Sequence, residues 1–335
     1  MSLIPVFVDW VTIRQDHESR SIPVLNGGRI LSIDADGSID YVVEKRVGIE
    51  GSFDSRIDLR CDGTTVEFSG NIARFNRRDN LFCYDWAETI RRINALLNLY
   101  SIPPFISGQL YRFVDSGWTW TGARVSRIDV TMNRACFSHE NASTVLQQLS
   151  RHHIGRQKGR LTPDGATVEY GKGSKYVYGK CYSKHAEFIA HQKRKSGAHV
   201  DDEVIDFAKN LGILREEFTL KSRFLTQNQL CYLGQINQDD LVEVFMNRTQ
   251  FKRFDKVEHE SFNDLPLRLA RTYAAWKLGI SQQISKATFY RHRLELLKYG
   301  IDISVPCTGQ ILPIRVRTIE VAALEAPDWY KHKFG

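Results

Sequence analysis

The segment 176–187 limits the fold of this chain more than any other, because its small and large side chains alternate. In an extended strand, successive side chains point to opposite faces of a sheet. One face then carries small residues that allow close packing, and the other carries tyrosines and lysines. The members of this second face are Tyr178, Lys180, Tyr182 and Lys184. The pattern predicts a strand with one packed face and one face that bears chemically active groups.

A tyrosine beside lysines is chemically suited to attack a phosphodiester. Ammonium groups favour both the phenolate form of the nucleophile and the approach of a phosphate. The same pattern also fits a strand whose aromatic and basic side chains simply face water. The residue types alone leave both interpretations open.

Charge and cysteine usage narrow the class of protein. The net charge of +7 and the sequence pI near 9.0 favour a polyanionic partner. The six cysteines are scattered without a Cys-x-x-Cys pair, which argues against a zinc site and a disulfide framework. No apolar run reaches the length that spans a membrane. We therefore expect a soluble cytoplasmic protein of one large or two ordinary domains.

Two further strand patterns, at 123–134 and 214–225, each place an arginine and a carboxylate on one face. The pairs are Arg127 with Asp129 and Arg215 with Glu217. In a sheet, these side chains would converge near Tyr182. Two carboxylates at one site suit a hard cation such as Mg²⁺, which typically takes one or two carboxylates together with water and phosphate. The alternative is a pair of surface ion pairs on a wet sheet.

From these pairs we predict Asp129 and Glu217 as ligands of Mg²⁺ or Mn²⁺, with Glu187 as a further ligand or proton acceptor. Arg127 and Arg215 are predicted to contact nucleic acid. A metal site at His152 and His153 is not expected, because adjacent residues of a strand point to opposite faces.

The remaining patterns set the domain organisation. Short strands up to residue 75, a hairpin through Asp62-Gly63 and a capped helix at 85–100 predict an α+β domain over residues 1–225. Its sheet is expected to be mainly antiparallel, with helices packed on it. Residues 226–335 are predicted to form a mostly helical domain with a closing strand at 311–321.

Within the second domain, helices at 267–278 and 285–299 flank a glycine turn and have a helix–turn–helix outline. The predicted contacts to duplex DNA are Ser285, Lys286, Thr288, Arg291 and Arg293. The alternative is that the helix pair only packs the domain, with Phe289, Leu294 and Leu297 as its core.

Four motifs in this order resemble the gene II/X family of replication initiators from filamentous phages. They are Ser126-Arg-Ile-Asp-Val-Thr131, Tyr182-Ser-Lys-His-Ala-Glu187, Leu214-Arg-Glu-Glu217 continuing to Ser222-Arg-Phe-Leu225, and Pro327-Asp-Trp-Tyr330. The similarity runs from about residue 60 to the C-terminus. The strand pairs also resemble metal-supporting strands of rolling-circle initiators, although the histidine–hydrophobic–histidine motif of many such proteins is missing.

The resemblance implies a rolling-circle initiator that nicks one strand of duplex origin DNA. It implies Tyr182 as the nucleophile, assisted by Lys184, because the family tyrosine lies in a Tyr-x-Lys-His-x-Glu setting. The product would be a 5′-phosphotyrosyl link with a free 3′-OH that primes synthesis, and the strand would be rejoined later. Tyr178, on the same predicted face, is the competing nucleophile.

The partners implied are duplex phage origin DNA, its nicked strand, and a host helicase and polymerase in the bacterial cytoplasm, with a homodimer as one assembly. A rival interpretation is a helix–turn–helix regulator without enzymatic activity. An RNA-binding module is a third, but the chain lacks aromatic RNP-type strands.

Overall fold

The computed structural model describes residues 5–17, 22–113, 117–154, 157–194, 199–251, 266–280, 284–298, 302–305 and 319–334. The strands are β1 Phe7–Asp16, β2 Val24–Leu25, β3 Arg29–Ile33, β4 Ile39–Glu44, β5 Val47–Glu50, β6 Arg56–Asp62, β7 Thr65–Gly70, β8 Leu110–Phe113, β9 Gly117–Trp120, β10 Arg124–Ala135, β11 His153–Ile154, β12 Gln157–Lys158, β13 Arg160–Leu161, β14 Thr167–Tyr170, β15 Val177–Ser183, β16 Ile213–Lys221 and β17 Ala322–Ala323.

The α-helices are α1 Trp86–Leu99, α2 His139–Leu149, α3 Lys184–Arg194, α4 Asp202–Asn210, α5 Ser222–Gln227, α6 Gln238–Arg248, α7 Leu267–Lys277, α8 Lys286–Leu297 and α9 Asp328–Phe334, with a 3₁₀ turn at Leu233–Gln235. In the described part of the chain, no helix has the length and apolar character that crossing a membrane requires.

Eleven of the described strands form one antiparallel sheet. Its order is β13-β14-β15-β16-β10-β1-β7-β6-β2, with β5 beside β6 and β17 beside β10. The strands nearest its middle come from distant parts of the sequence, because β1 lies between β7 and β10 while β16 lies between β10 and β15. With the packed helices, this confirms the predicted α+β class.

The side chains of β10 alternate between an apolar core on one face and a polar environment on the other. Ile128, Val130 and Met132 lie in the main hydrophobic core, where α1 and α6 also contribute side chains. Asp129 and Thr131, on the opposite face, are buried as well. The predicted alternation is thus confirmed, but the polar face is covered rather than wet.

The hairpin β14–β15 turns through Gly171 and Gly173, which both have positive φ values of 65° and 81°. Glycine adopts this backbone region without a steric penalty, so the predicted turn forms here. Strand β15 then ends at Ser183, and Lys184 begins α3. The sequence is compatible with Lys184 on the strand face and also predicts a helix over Lys184–Lys195. Helix α3 confirms the helix, so Lys184 does not continue the strand face.

Strand β16 also ends earlier than the predicted range 214–225. It stops at Lys221, and residues 222–227 form α5. The buried side chains Phe224 and Leu225 belong to this helix and to the main core. Their apolar character was compatible with either element, so sequence alone extended the strand too far.

The chain divides into two compact units, Met1–Phe251 with Glu320–Gly335 and Lys252–Ile319. The predicted boundary at 225/226 is too early, because Leu241 and Phe245 of α6 belong to the same core as Phe218 of β16. In the second unit, α7 and α8 pack around Leu269, Leu296 and Ile303. Most of the predicted strand at 311–321 lies outside the described residues.

A second core of the first unit covers the other side of the sheet, with Phe188 of α3, Val204 of α4 and Tyr330 of α9. The Tyr330 hydroxyl donates to Asp79 Oδ1 at 2.5 Å and accepts from Arg77 Nη2 at 2.6 Å and from the Phe82 amide at 3.3 Å. The C-terminal helix therefore fixes the irregular segment 71–84 from three directions.

Candidate active site

Neighbouring strands bring charged and phenolic side chains together on the covered polar face of the sheet. In the β15–β16 pair, Tyr182 lies opposite Arg215 and Lys180 lies opposite Glu217. We call the group that meets there the polar cluster; its members are Asp9, Asp129, Lys180, Tyr182, Arg215 and Glu217. Asp129 and Glu217 share this face because Asp129 pairs with Thr219, two residues along β16 from Glu217.

Tyr182 is 7% exposed, and its hydroxyl donates to Glu217 Oε2 at 3.3 Å. The ammonium groups of Lys180 and Lys184 lie over its ring, 5.0 and 5.9 Å from the centroid. Burial raises the pKa of Tyr182 well above its ordinary value, and the charges of Glu187 and Glu217 raise it further. Arg215 is the cation that lowers the pKa of Tyr182, and burial outweighs it, so the phenol form is favoured in this conformation.

Glu217 is the carboxylate that accepts the hydrogen bond of the buried Tyr182 phenol. Its Oε1 pairs with Lys180 Nζ at 2.9 Å, while Oε2 accepts the hydrogen bond of Tyr182. Burial raises the pKa of Glu217 to about 7; Lys180 opposes this shift, and Asp129 and Asp9 add to it. A carboxylate with a pKa near neutral pH is well matched to proton transfer.

Asp129 is 2% exposed and is held by Arg127 in a two-point ion pair. The Arg127 Nε and Nη2 atoms lie 2.9 and 2.6 Å from the two carboxylate oxygens. Burial raises the pKa of Asp129, and the guanidinium of Arg127 opposes this shift. The side chain of Arg127 is 39% exposed, so it forms the rim of the polar cluster and is reachable from outside.

Arg215 is completely buried, which is not the exposed DNA contact that the sequence predicted. Its Nε donates to Asn133 Oδ1 at 3.0 Å, and its Nη2 donates to the carbonyl oxygens of Asn80 and Leu81 at 2.5 and 2.6 Å. Its Nη1 lies 3.4 Å from Asp9 Oδ1. These contacts make Arg215 an internal support that joins three segments of the chain.

Asp9 is a member of the polar cluster that the sequence did not reveal. The pairing of β1 with β10 shifts between Val8 and Trp10, so Asp9 lies at a bulge. Bulges redirect side chains and are frequent beside active sites. Burial raises the pKa of Asp9, but Arg215 and Lys184 outweigh it and hold the pKa below its ordinary value. The available signal was a single carboxylate inside a run of β-branched and aromatic residues.

The segment 71–84 closes the cluster from above through Asn80. The Asn80 side chain donates to Asp9 at 3.1 Å and accepts from Lys184 Nζ at 2.9 Å. Lys184 is fully buried and also pairs with Glu187. Burial lowers the pKa of Lys184, and Arg215 lowers it further. Lys184 thus lies beside Tyr182, the candidate nucleophile, but it belongs to helix α3 and not to strand β15.

The residues predicted to bind metal form a smaller set than expected. Within the described residues, no group of three His, Cys, Asp or Glu side chains is placed to hold one ion, so the set of Asp129, Glu217 and Glu187 is not assembled. Asp129 and Glu217 nevertheless share a buried face, where Asp129 raises the pKa of Glu217. Two such carboxylates fit a Mg²⁺ site in which water and phosphate complete the coordination.

Tyr178 and Tyr182 donate hydrogen bonds to different carboxylates. The Tyr178 hydroxyl donates to Glu169 Oε1 at 2.7 Å, and Glu169 is also held by Lys172 at 3.0 Å. Burial and this hydrogen bond raise the pKa of Tyr178. Tyr178 shares the predicted face but is directed to a different carboxylate, which makes it a suitable control for Tyr182.

In the second unit, the predicted DNA contacts have different surroundings. Ser285 caps α8 by accepting the Thr288 amide at 3.2 Å, while Lys286 and Arg291 are exposed. Arg293 forms a two-point ion pair with Asp302 at 2.8 and 3.0 Å.

The packing alternative for the helix pair is only partly met. Phe289 packs on the small core of the second unit, whereas Leu294 is 66% exposed and Leu297 is 39% exposed. The prediction that all three form a core is therefore wrong for Leu294 and Leu297.

Comparison of the sequence with known proteins assigns the chain to a family. The N-terminal model of the phage replication-associated protein family matches residues 7–239, and its C-terminal model matches residues 264–334. The replication-associated protein of Enterobacteria phage I2-2 is 28% identical over 352 residues, covering 96% of each chain. That of Escherichia phage If1 is 26% identical over 315 residues, covering 82% of this chain and 97% of its own. The chain therefore belongs to the filamentous-phage family of replication-associated proteins.

Proposed function

We propose that this chain initiates phage replication by nicking one strand of duplex origin DNA, with Tyr182 as the nucleophile. The observation that carries the proposal is the hydrogen bond from the buried Tyr182 hydroxyl to Glu217, whose pKa lies near 7. A phenol with a raised pKa needs a base within hydrogen-bond reach, and Glu217 is that base. The replication-associated names of the relatives agree with this role.

In the proposed step, the phenol oxygen of Tyr182 attacks the phosphorus as its proton passes to Glu217. The bond from phosphorus to the 3′ oxygen breaks, and that oxygen takes up a proton and leaves as a 3′-OH. The 5′-phosphotyrosyl bond that forms retains a transferable phosphoryl group, so the strand can be rejoined without a nucleotide.

Charge stabilisation would come from the rim of the polar cluster. Lys180 and Arg127 are 30% and 39% exposed, so they can meet a phosphate that enters from outside. Each is already paired with a carboxylate of the cluster. An incoming phosphate would therefore share these cations with Glu217 and Asp129 rather than meet bare charges.

We further propose that Asp129 and Glu217 hold Mg²⁺ or Mn²⁺ when DNA is bound. A bound divalent cation would polarise the scissile phosphate. Excess EDTA is expected to lower nicking by at least about 10²-fold, and Asp129→Asn is expected to raise the Mg²⁺ concentration needed for half-maximal nicking. With a DNA oligomer that spans the nick site present, the melting temperature should rise with added Mg²⁺ in the parent protein and not in Asp129→Asn, since a ligand of the folded state stabilises it.

Undiminished nicking in EDTA would contradict the metal proposal and leave Arg127 and Lys180 as the charges that act on the phosphate. Glu169→Gln is the matched control, because Glu169 accepts from Tyr178 outside the cluster. This variant should keep the metal requirement of the parent protein.

The raised pKa of Glu217 predicts that the ionised carboxylate, which acts as the base, makes the folded state less stable. Its folded pKa of about 7 lies above the ordinary glutamate value of 4.5, so the folded state holds this proton more tightly than the unfolded state. The resulting stabilisation is present below pH 4.5 and is lost as the pH rises through about 7. The loss amounts to roughly 3 kcal/mol at 1.36 kcal/mol per pKa unit.

Glu217→Gln mimics the protonated carboxyl at every pH. In EDTA, its free energy of unfolding measured by urea titration is expected to lack this decline between pH 4.5 and 8. Its nicking activity should fall by about 10²- to 10⁴-fold, because the base is gone. A variant that shows the same decline in stability as the parent would assign the pKa to another group.

The second unit is proposed to read duplex origin DNA, with the exposed Lys286 and Arg291 as its contacts. Arg293 would support α8 through Asp302 rather than touch DNA. A host helicase and polymerase in the bacterial cytoplasm would extend the 3′-OH. The rival function is a DNA-binding regulator without enzymatic activity.

Incubation with supercoiled origin DNA separates the two functions. A nicking initiator leaves a covalent protein–DNA adduct that survives denaturation. A regulator shifts the mobility of the DNA and attaches to none of it.

A further inference from the structure

A groove of about 1030 Å³ lies on the first unit and is lined in part by segment 71–84. Basic and aromatic side chains dominate its lining. The ones that matter here are Phe53, Arg77, Arg78, Tyr84, Arg92 and Lys333. None of these residues belongs to the polar cluster or to the predicted contacts of the second unit.

The charge of the groove is positive. Its lining contains four cationic side chains, whereas Asp201 is the acidic one among the described lining residues. Arg78 and Lys333 share Asp201, at 3.0 and 2.8 Å. Their side chains are 45% and 40% exposed, and ion pairs exposed to this degree hold their charges weakly. A polyanion can therefore displace the carboxylate at little cost.

Aromatic rings accompany these cations. The Arg78 guanidinium lies 5.0 Å from the centroid of Phe53, and that of Arg92 lies 4.4 Å from the centroid of Tyr84. Phe53 is 37% exposed, so part of its ring faces the groove. Cations beside accessible aromatic rings are the combination by which proteins bind single-stranded nucleic acid.

The backbone that presents Phe53 is strained. Phe53 has a φ of 58° and Asn76, which also lines the groove, has a φ of 61°. A bulky residue rarely adopts this region, and such strain persists only where surrounding bonds hold it. Arg74 Nη2 donates to the Phe53 carbonyl at 2.7 Å, and the Ser52 amide donates to Asn76 Oδ1 at 2.8 Å. The fold therefore holds a large aromatic ring at the rim against its backbone preference.

Segment 71–84 connects the groove to the proposed chemistry. Its Asn80 touches Asp9 and Lys184, while Arg77, Arg78 and Tyr84 of the same segment line the groove. Nucleic acid held in the groove therefore lies next to the segment that closes the polar cluster.

We propose that this groove binds a single-stranded stretch of DNA adjoining the nick, with a base stacked on Phe53 and phosphates on Arg78, Arg92 and Lys333. The identity of the polymer as DNA rests on the proposed function. A single strand fits better than a duplex, because a base must be unstacked before its face can meet an aromatic ring. An acidic polypeptide would satisfy the cations but would leave the exposed ring of Phe53 without a partner.

The test measures fluorescence anisotropy of a labelled 20-nucleotide thymidine oligomer with the full chain carrying Tyr182→Phe, which prevents cleavage from entering the result. Phe53→Asn removes the ring but tolerates the left-handed backbone, so the fold is retained. We expect it to weaken binding by about 5- to 100-fold without changing the salt dependence. Arg92→Ala should also weaken binding and reduce the slope of log Kd against log salt by about 0.7.

Arg91→Ala is the matched control, because Arg91 precedes Arg92 on the same helix, shares its partner Glu88 and does not line the groove. It should bind the oligomer like the parent. Equal loss in Arg91→Ala and Arg92→Ala, or unchanged affinity in Phe53→Asn, would overturn the proposal. Equal competition by a duplex of the same length or by polyglutamate would also overturn it. Binding is measured without nicking, so failure of Tyr182 to form an adduct would leave this result standing.

Discussion

Replacing Tyr182 by Phe is expected to abolish nicking and the covalent adduct while leaving DNA binding intact. The substitution removes only the hydroxyl that donates to Glu217 Oε2, and the ring can still pack beneath Lys180. Losing a nucleophile costs on the order of 10⁴-fold or more in rate. The measurement is the fraction of supercoiled origin DNA that becomes nicked, together with adduct detection after denaturation.

Tyr178→Phe is the control on the same strand. It removes the hydrogen bond to Glu169, which lies outside the polar cluster, so nicking and adduct formation should remain within a few-fold of the parent. The reverse outcome, with an adduct in Tyr182→Phe and none in Tyr178→Phe, would move the nucleophile to Tyr178. Loss of DNA binding in Tyr182→Phe would show that the change had damaged more than the chemistry.

Arg215→Met is expected to have the largest effect on stability. It would leave the carbonyl oxygens of Asn80 and Leu81 without this buried donor. It would also remove the guanidinium that pairs with the Asp9 carboxylate, whose hydrogen-bond donors Asn71 and Asn80 are uncharged. Removing one partner of a buried ion pair typically costs about 3–5 kcal/mol, because the other charge remains in a dry site. Urea unfolding monitored by circular dichroism would measure this loss.

The partner of Arg215 supplies a stricter test than the single change. Adding Asp9→Asn to Arg215→Met should cost less than the sum of the two single changes, since the stranded charge disappears. Arg14→Met serves as the control, because the Arg14 side chain is exposed and pairs with Asp16, whose side chain is also exposed. Its effect should stay within about 0.5 kcal/mol. Strict additivity of Asp9→Asn and Arg215→Met would show that the two groups do not support each other.

The sequence predicts the central strands well because their alternation is strict. A period of two fixes which side chains share a face, so the pattern alone correctly places Asp129 and Glu217 together. The same rule places Tyr182 on the face of Lys180. What periodicity does not show is whether a polar face is wet or covered, and here α3, α4 and segment 71–84 cover it.

The residues whose positions or surroundings the sequence did not predict have local physical reasons for this. Asp9 escapes prediction because a bulge, which leaves no mark in the hydrophobic pattern, turns it toward Arg215. Lys184 leaves the strand face because the strand passes directly into the helix that the sequence predicts from Lys184 onward. The sequence predicts Arg215 as a DNA contact because the alternating pattern of a strand is the same whether its arginine is exposed or buried. Asn80 comes from an irregular segment, where no periodic rule applies.

The contact between Tyr330 and segment 71–84 sets the order in which the supports of the polar cluster become available during synthesis. A nascent chain that has emerged as far as Glu217 contains all six members of the polar cluster, yet α9 has still to be made. Without Tyr330, Asp79 and the Phe82 amide lose the hydroxyl that joins them, so the adjacent Asn80 depends on its own contacts with Arg215, Asp9 and Lys184. Helix α9, which is made after all six members of the polar cluster, thus adds a late support to the segment that closes the cluster, and a chain that stops short of α9 lacks that support.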